Sequence, residues 1–104
     1  MISTITVNYR TVDYLDKMLE SLFVHHPQGG IEVFVVENGS GDDLRAIKER
    51  YPSVLYLESQ TNLGFAGGCN LALQRASGEY CVLINPDVLF INDALYQIRD
   101  AMNA

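Results

Sequence analysis

With 104 residues, 48% of them hydrophobic, the chain is long enough to bury one core and short enough to be one domain or a piece of one. Its net charge of -6 argues against nucleic acid and anionic membrane surfaces as main partners, since both require basic patches. No apolar run approaches the roughly 18 residues of a membrane span, and MISTITVNYR lacks the basic start and long apolar centre of a signal peptide, so a cytoplasmic protein is expected, free or at the cytoplasmic face of the membrane.

In chain order, STITVNY is short and β-rich. TVDYLDKMLESLFVHH follows, with Leu15, Met18, Leu19, Leu22 and Phe23 at helical spacing on one apolar face. His25 and His26 end this helix as a C-terminus of cationic tendency, and Pro27, Gly29 and Gly30 stop it. IEVFVV is a near-continuous apolar run, as expected of a strand covered on both faces. ENGSGDD breaks it with turn chemistry, and DDLRAIKERY reads as a short helix closed by Pro52.

VLYLE is a third strand, and SQTNLGFAGGCN a loop into the helix CNLALQRA, with Cys69, Ala72, Leu73 and Ala76 on one face. EYCVLI is the fourth strand. After NPDVLFIN comes a last helix, DALYQIRDAM, with Leu95, Ile98 and Met102 inward. Cys69 and Cys81 lie in different elements without metal-site spacing and read as reduced core thiols. Strict alternation of strand and helix implies right-handed crossovers and a parallel sheet covered on both faces. Ligands in such sheets bind beyond the carboxyl ends of the strands, at a topological switch point.

The strand ends therefore carry the functional information. The first, NYRTVD, has no glycine, which excludes a G-x-G-x-x-G dinucleotide turn, and no Walker P-loop occurs. Paired acids of the receiver type are also missing there. After the second strand, Glu37 is placed to accept hydrogen bonds from ribose hydroxyls or a base N–H. Asn38 and Gly39 suit a turn with positive φ, and Ser40 with Asp43 has capping-box spacing. In NLGFAGGCN, Gly64, Gly67 and Gly68 allow close backbone approach, to an anion at the start of the third helix or simply to the sheet. In INPDV, Pro86 ends the fourth strand. Asp87 then projects from the binding edge, as part of a turn or as a carboxylate for a divalent ion.

Together, ITVNYR, VVENGSGDD, NLGFAGGCNLAL and LINPDV resemble the N-terminal, donor-binding half of family 2 glycosyltransferases, especially the rhamnosyltransferase-like branch. These segments stand in family order and at family spacing over almost the whole chain. The resemblance implies the GT-A fold: a three-layer α/β/α sandwich on a parallel four-stranded sheet of order 3-2-1-4. It implies a donor in the form of a nucleotide-diphospho-sugar, with UDP or dTDP, a glycan or polysaccharide acceptor such as a cell wall polysaccharide, and inversion at the sugar carbon.

By position, Asn8, Tyr9 and Arg10 would line the nucleoside pocket. Glu37 and Asn38 would follow at the second strand, where the family more often has Asp in place of Glu37. Asn62, Gly64, Gly68 and Asn70 would frame the donor, and Asn85-Pro86-Asp87 would stand where the family has D-x-D, with Asp87 as the ligand of Mg²⁺ or Mn²⁺. Asn85 replaces the first acid and removes a negative charge, so metal binding without nucleotide should be weak. Family catalytic domains are much longer and carry their general base downstream, so residues 1–104 are expected to be a single nucleotide-sugar-binding domain, truncated, inactive alone and prone to self-association. A non-catalytic nucleotide-binding module is the alternative. A sugar-nucleotide pyrophosphorylase fits less well, because NYRTVD lacks that class's glycine-rich, Arg- and Lys-bearing loop.

Overall fold

The computed structural model describes residues Met1–Ala104. Its elements run β1 (Ile2–Asn8), α1 (Val12–His25), β2 (Ile31–Asn38), α2 (Arg45–Arg50), β3 (Leu55–Ser59), α3 (Gly64–Leu73), β4 (Tyr80–Leu83) and α4 (Ala94–Met102). The sheet order is β3-β2-β1-β4, with every pairing parallel. Ile2 to Asn8 of β1 align with Ile31 to Glu37 of β2, which brings Asn8 beside Glu37 at the carboxyl edge.

Side-chain alternation divides the strands between two cores. Ile2, Val33 and Val35 face one side, where Leu15, Met18, Leu19 and Leu22 of α1 pack with Ile47 of α2 and Leu95 of α4. Ile5, Phe34 and Val36 face the other side, against Cys69 and Ala72 of α3. The result is the expected α/β/α sandwich, with α3 alone on its face. That face is uncovered toward β4, where Cys81 and Leu83 are exposed.

Several local expectations need correction. α2 begins at Arg45, so Ser40 is not its N-cap, and Asp43 instead accepts the Arg45 N–H at 3.0 Å from just outside the helix. α3 begins at Gly64, so Gly67 and Gly68 lie within it rather than at its start. Leu73 is exposed. In α4, Ile98 and Met102 are exposed and Tyr96 joins Leu95 inside. Cys69 is buried as expected and Cys81 is not, although both are free thiols.

His26 caps the C-terminus of α1, as expected, and it is also a buried core residue. Its ring lies edge-on to Phe90 and Tyr96. Nδ1 donates to the Leu22 carbonyl at 2.7 Å and Nε2 accepts the Leu95 N–H at 3.1 Å, an arrangement only the uncharged ring can make. His26 thus ties the end of α1 to the first turn of α4, which explains why the buried face of α4 is its start.

Candidate functional site

The chain leaves β1 to build β2 and β3 on one side and returns to place β4 on the other. The switch point is therefore between β1 and β4, and a cavity of about 270 Å³ opens there at the carboxyl edge. Val7, Tyr9 and Thr11 line it from β1 and the turn that follows, and Asn38 from the end of β2. Asn62, Gly64 and Phe65 line it from the start of α3, and Ile84, Asn85 and Pro86 from the end of β4. All four strand-end segments singled out in the sequence thus meet around one opening.

One wall is a hydrogen-bonded clamp. Asn38 is buried, and its amide donates to Asn62 Oδ1 at 3.1 Å and to the Gly64 carbonyl at 3.0 Å. Its Oδ1 accepts the Leu63 N–H at 3.1 Å. One side chain therefore fixes the whole approach to α3, and Asn62 extends the clamp by accepting the Gly64 N–H at 2.8 Å. Gly39 follows with φ 76°, and a Cβ there would lie 2.2 Å from the Thr61 carbonyl carbon. The glycine is needed both for its left-handed backbone and for the passage of this loop.

Asn8 is the second clamp, also fully buried. Its amide donates to Asp42 Oδ2 at 2.9 Å and to Glu37 Oε1 at 3.3 Å, and its Oδ1 accepts from the Thr11 hydroxyl at 2.8 Å. Glu37 in turn accepts from the Ser40 backbone N–H at 3.2 Å and from the Ser40 hydroxyl. Its carboxylate is nearly buried and bordered by a second, polar hollow of about 350 Å³ that includes Ser59 and Gln60. Asp43 is turned away: its hydrogen bonds with the Arg45 guanidinium and backbone hold its carboxyl down to about 2, and it plays no part in the cavity.

The opposite wall is free. The Asn85 carbonyl accepts the Val88 N–H at 3.1 Å, closing a β-turn with Pro86 in its second position. The turn leaves the Asn85 amide and the Asp87 carboxylate exposed, with no protein hydrogen bond to either. N-P-D is therefore a turn that also presents an unengaged acid beside the cavity. No group of three His, Cys, Asp or Glu side chains is arranged to hold a metal. A single free carboxylate with a neighbouring amide does fit a hard divalent ion completed by water and phosphate oxygens.

Of the residues expected at the site, Tyr9, Asn38, Asn62, Gly64 and Asn85 line the cavity. Asn8 and Glu37 stand behind it as its frame. Arg10 borders an adjacent hollow with Asp42, its guanidinium 5.0 Å from the centre of the Tyr9 ring. Gly68 is on the buried face of α3, where a Cβ would come within 3.1 Å of Val7 Cγ1, so its place is tight helix–sheet packing. Asn70 lies on the exposed side of α3 and does not line the cavity. Thr11, Phe65 and Asp42 are additional residues that motif spacing did not pick out.

The model of glycosyl transferase family 2 matches residues 3–104. TuaG of Bacillus subtilis, a glycosyltransferase named for teichuronic acid biosynthesis, is 32% identical over 91% of this chain and 39% of its own length. The poly(ribitol-phosphate) beta-N-acetylglucosaminyltransferase TarS of Staphylococcus aureus is 33% identical over 82% of this chain and 16% of its own length. The crystal structure of TarS residues 1–349 in complex with UDP superposes with a TM-score of 0.84 at 29% identity, covering 98% of this chain and 32% of that one. The chain thus spans well under half the length of these relatives. No helix is long and apolar enough to cross a membrane.

Proposed function

Since the chain belongs to glycosyl transferase family 2, with the fold of that family's solved members, we propose that it is the donor-binding part of a sugar transferase whose donor is a uridine-diphosphate sugar. The observation that carries this reading is the meeting of the four strand-end segments around one cavity at the switch point of the sheet, with an unengaged carboxylate beside it. The likeness to the UDP complex of TarS supports uridine over thymidine.

The residues divide the work. Asn8, Glu37 and Asn38 hold the loops that shape the opening, and their hydrogen bonds are made before any ligand arrives. Tyr9 and Arg10 offer an aromatic face and a cation at the nucleoside end. Gly64 and Asn62 bring the start of α3 to the same opening, with the Leu63 and Gly64 N–H groups already held by Asn38 and Asn62. Asn85 and Asp87 would hold a divalent ion, which when bound neutralises charge on the departing diphosphate.

The acceptor is a glycan or polysaccharide on this reading. Its hydroxyl needs a base to take its proton, and none of the residues lining the cavity is an acid or a histidine. The 104-residue chain should therefore bind donor nucleotide without transferring sugar.

Titration of the chain with UDP in the presence of Mg²⁺ or Mn²⁺, followed by amide NMR, tests this. Shifts should concentrate at Tyr9, Arg10, Gly64 and Asp87. Silence at about millimolar UDP, where a binding free energy of about -4 kcal/mol would already show, rejects the donor reading. Sugar transfer by the pure chain would reject the missing-base argument.

A further inference from the structure

Arg10 is the only non-glycine residue with positive φ, at 59°. Bulky side chains seldom adopt the left-handed region, and a residue held there is over-determined by its surroundings. Here the surroundings reduce to one carboxylate. Asp42 Oδ2 accepts the Arg10 backbone N–H at 2.9 Å and the Asn8 amide at 2.9 Å. The two contacts span 32 and 34 residues of sequence, so they join the turn after β1 to the loop after β2.

The turn has no comparable second anchor at Arg10. Thr11 bonds back to Asn8, and the Arg10 guanidinium packs over Tyr9. Neither contact touches the Arg10 backbone. The Arg10 cation, which borders the hollow beside the cavity and packs on the Tyr9 ring, thus projects from a backbone conformation whose one long-range contact is to Asp42. Asp42 itself is absent from the cavity lining. It is also not a helix cap, since α2 starts three residues later.

We propose that Asp42 is a positioning residue for nucleotide binding: it latches Arg10 in the left-handed conformation and so sets the Tyr9–Arg10 face that the donor meets. The proposal rests on the donor-site reading above, and it assigns to the carboxylate a role through the backbone of another residue rather than through the ligand.

The test combines two substitutions at Asp42 with one at Arg10. Asp42→Ala removes the acceptor, and UDP affinity should fall about tenfold. Asp42→Asn keeps an oxygen in place and should stay within about threefold of the parent. Arg10→Gly loses the cation and binds more weakly by itself, but glycine adopts positive φ without help. In that background Asp42→Ala should cost less than about threefold.

Free of ligand, the Arg10 amide resonance should move in Asp42→Ala and hold its place in Asp42→Asn. Parent-like UDP affinity in a folded Asp42→Ala chain overturns the latch, as does an equal penalty in the Arg10→Gly background. If the parent chain ignores UDP while the Arg10 amide still moves as described, the donor reading fails and the latch stands only as a structural contact, which overturns its role in binding.

Discussion

On the β1–β2 side of the cavity, Asn8, Glu37, Asn38 and Asp42 commit their polar atoms to one another and to loop backbone. On the β4 side, the side chains of Asn85 and Asp87 commit no polar atom, and the turn that carries them is closed by a single backbone hydrogen bond. The same edge of one sheet thus has a wall that is finished before ligand arrives and a wall left open for it. Pre-organisation lowers the ordering cost of binding, whereas unengaged groups supply the new contacts. Substitutions on the two walls should therefore separate stability from affinity.

The largest effect is expected at Asn38. Truncation to Ala strands the Leu63 N–H and removes two donor bonds from a buried side chain, which should cost about 3 kcal/mol of stability. Urea unfolding reads this directly. A loss below about 0.5 kcal/mol, the scale of an ordinary surface change, would show that this wall is not a clamp.

Asp87→Ala is the counterpart on the open wall. It should leave the urea midpoint unchanged within about 0.5 kcal/mol, because nothing in the protein depends on that carboxylate. Metal-dependent UDP affinity should instead fall by about tenfold or more, equivalent to about 1.4 kcal/mol. Calorimetry with and without Mg²⁺ distinguishes this from a general weakening. Unchanged metal-dependent affinity would remove Asp87 from any role in holding an ion.

Much of this division could be read in the sequence, and the failures have physical causes. Alternating apolar runs and helical spacings are local, so the strands and their parallel pairing came through, as did the four strand-end motifs, whereas the β3-β2-β1-β4 order is the one that the family resemblance implied. The start of α3 did not. GFAGG has poor intrinsic helix propensity, and it is helical because Gly68 seats against Val7 and Asn38 holds Leu63 and Gly64. The buried face of α4 was misread because His26, about seventy residues earlier, engages only its first turn. Asn38 looked like a turn residue, and Asp42 was hidden beside a Ser40–Asp43 spacing that imitates a capping box. In each case the deciding partner is distant in sequence, which periodicity cannot report.

Gly68→Ala sharpens the packing side of the comparison. A helical alanine gains about 1 kcal/mol over glycine, but the new Cβ would press on Val7 Cγ1 at 3.1 Å and on Asn38 Nδ2 at 3.2 Å. Overpacking of a well-filled site costs about 1–3 kcal/mol, so the net change should be a destabilisation of about 1 kcal/mol, with Asn38 disturbed. A stabilised Gly68→Ala chain would mean that α3 can lift from β1 without loss.

The smallest effect lies at the far end of the sheet, where the open wall is tied back. Glu32 accepts the Ser77 N–H at 2.9 Å, the Ser77 hydroxyl at 2.8 Å and the Ser3 hydroxyl at 2.8 Å, which fixes the turn that delivers β4. The Ser77 backbone hydrogen bond is the main reason its carboxyl lies below the ordinary 4.5, with the two hydroxyls adding to it. In that range the folded chain binds fewer protons at Glu32 than the unfolded chain does. Its contribution is therefore present above the unfolded value of 4.5 and is lost as pH falls through the lower folded value. Glu32→Gln should flatten this part of the acid limb in urea midpoints and leave UDP affinity at neutral pH unchanged. An acid limb of the same slope in the variant would show that β4 is held in place without Glu32.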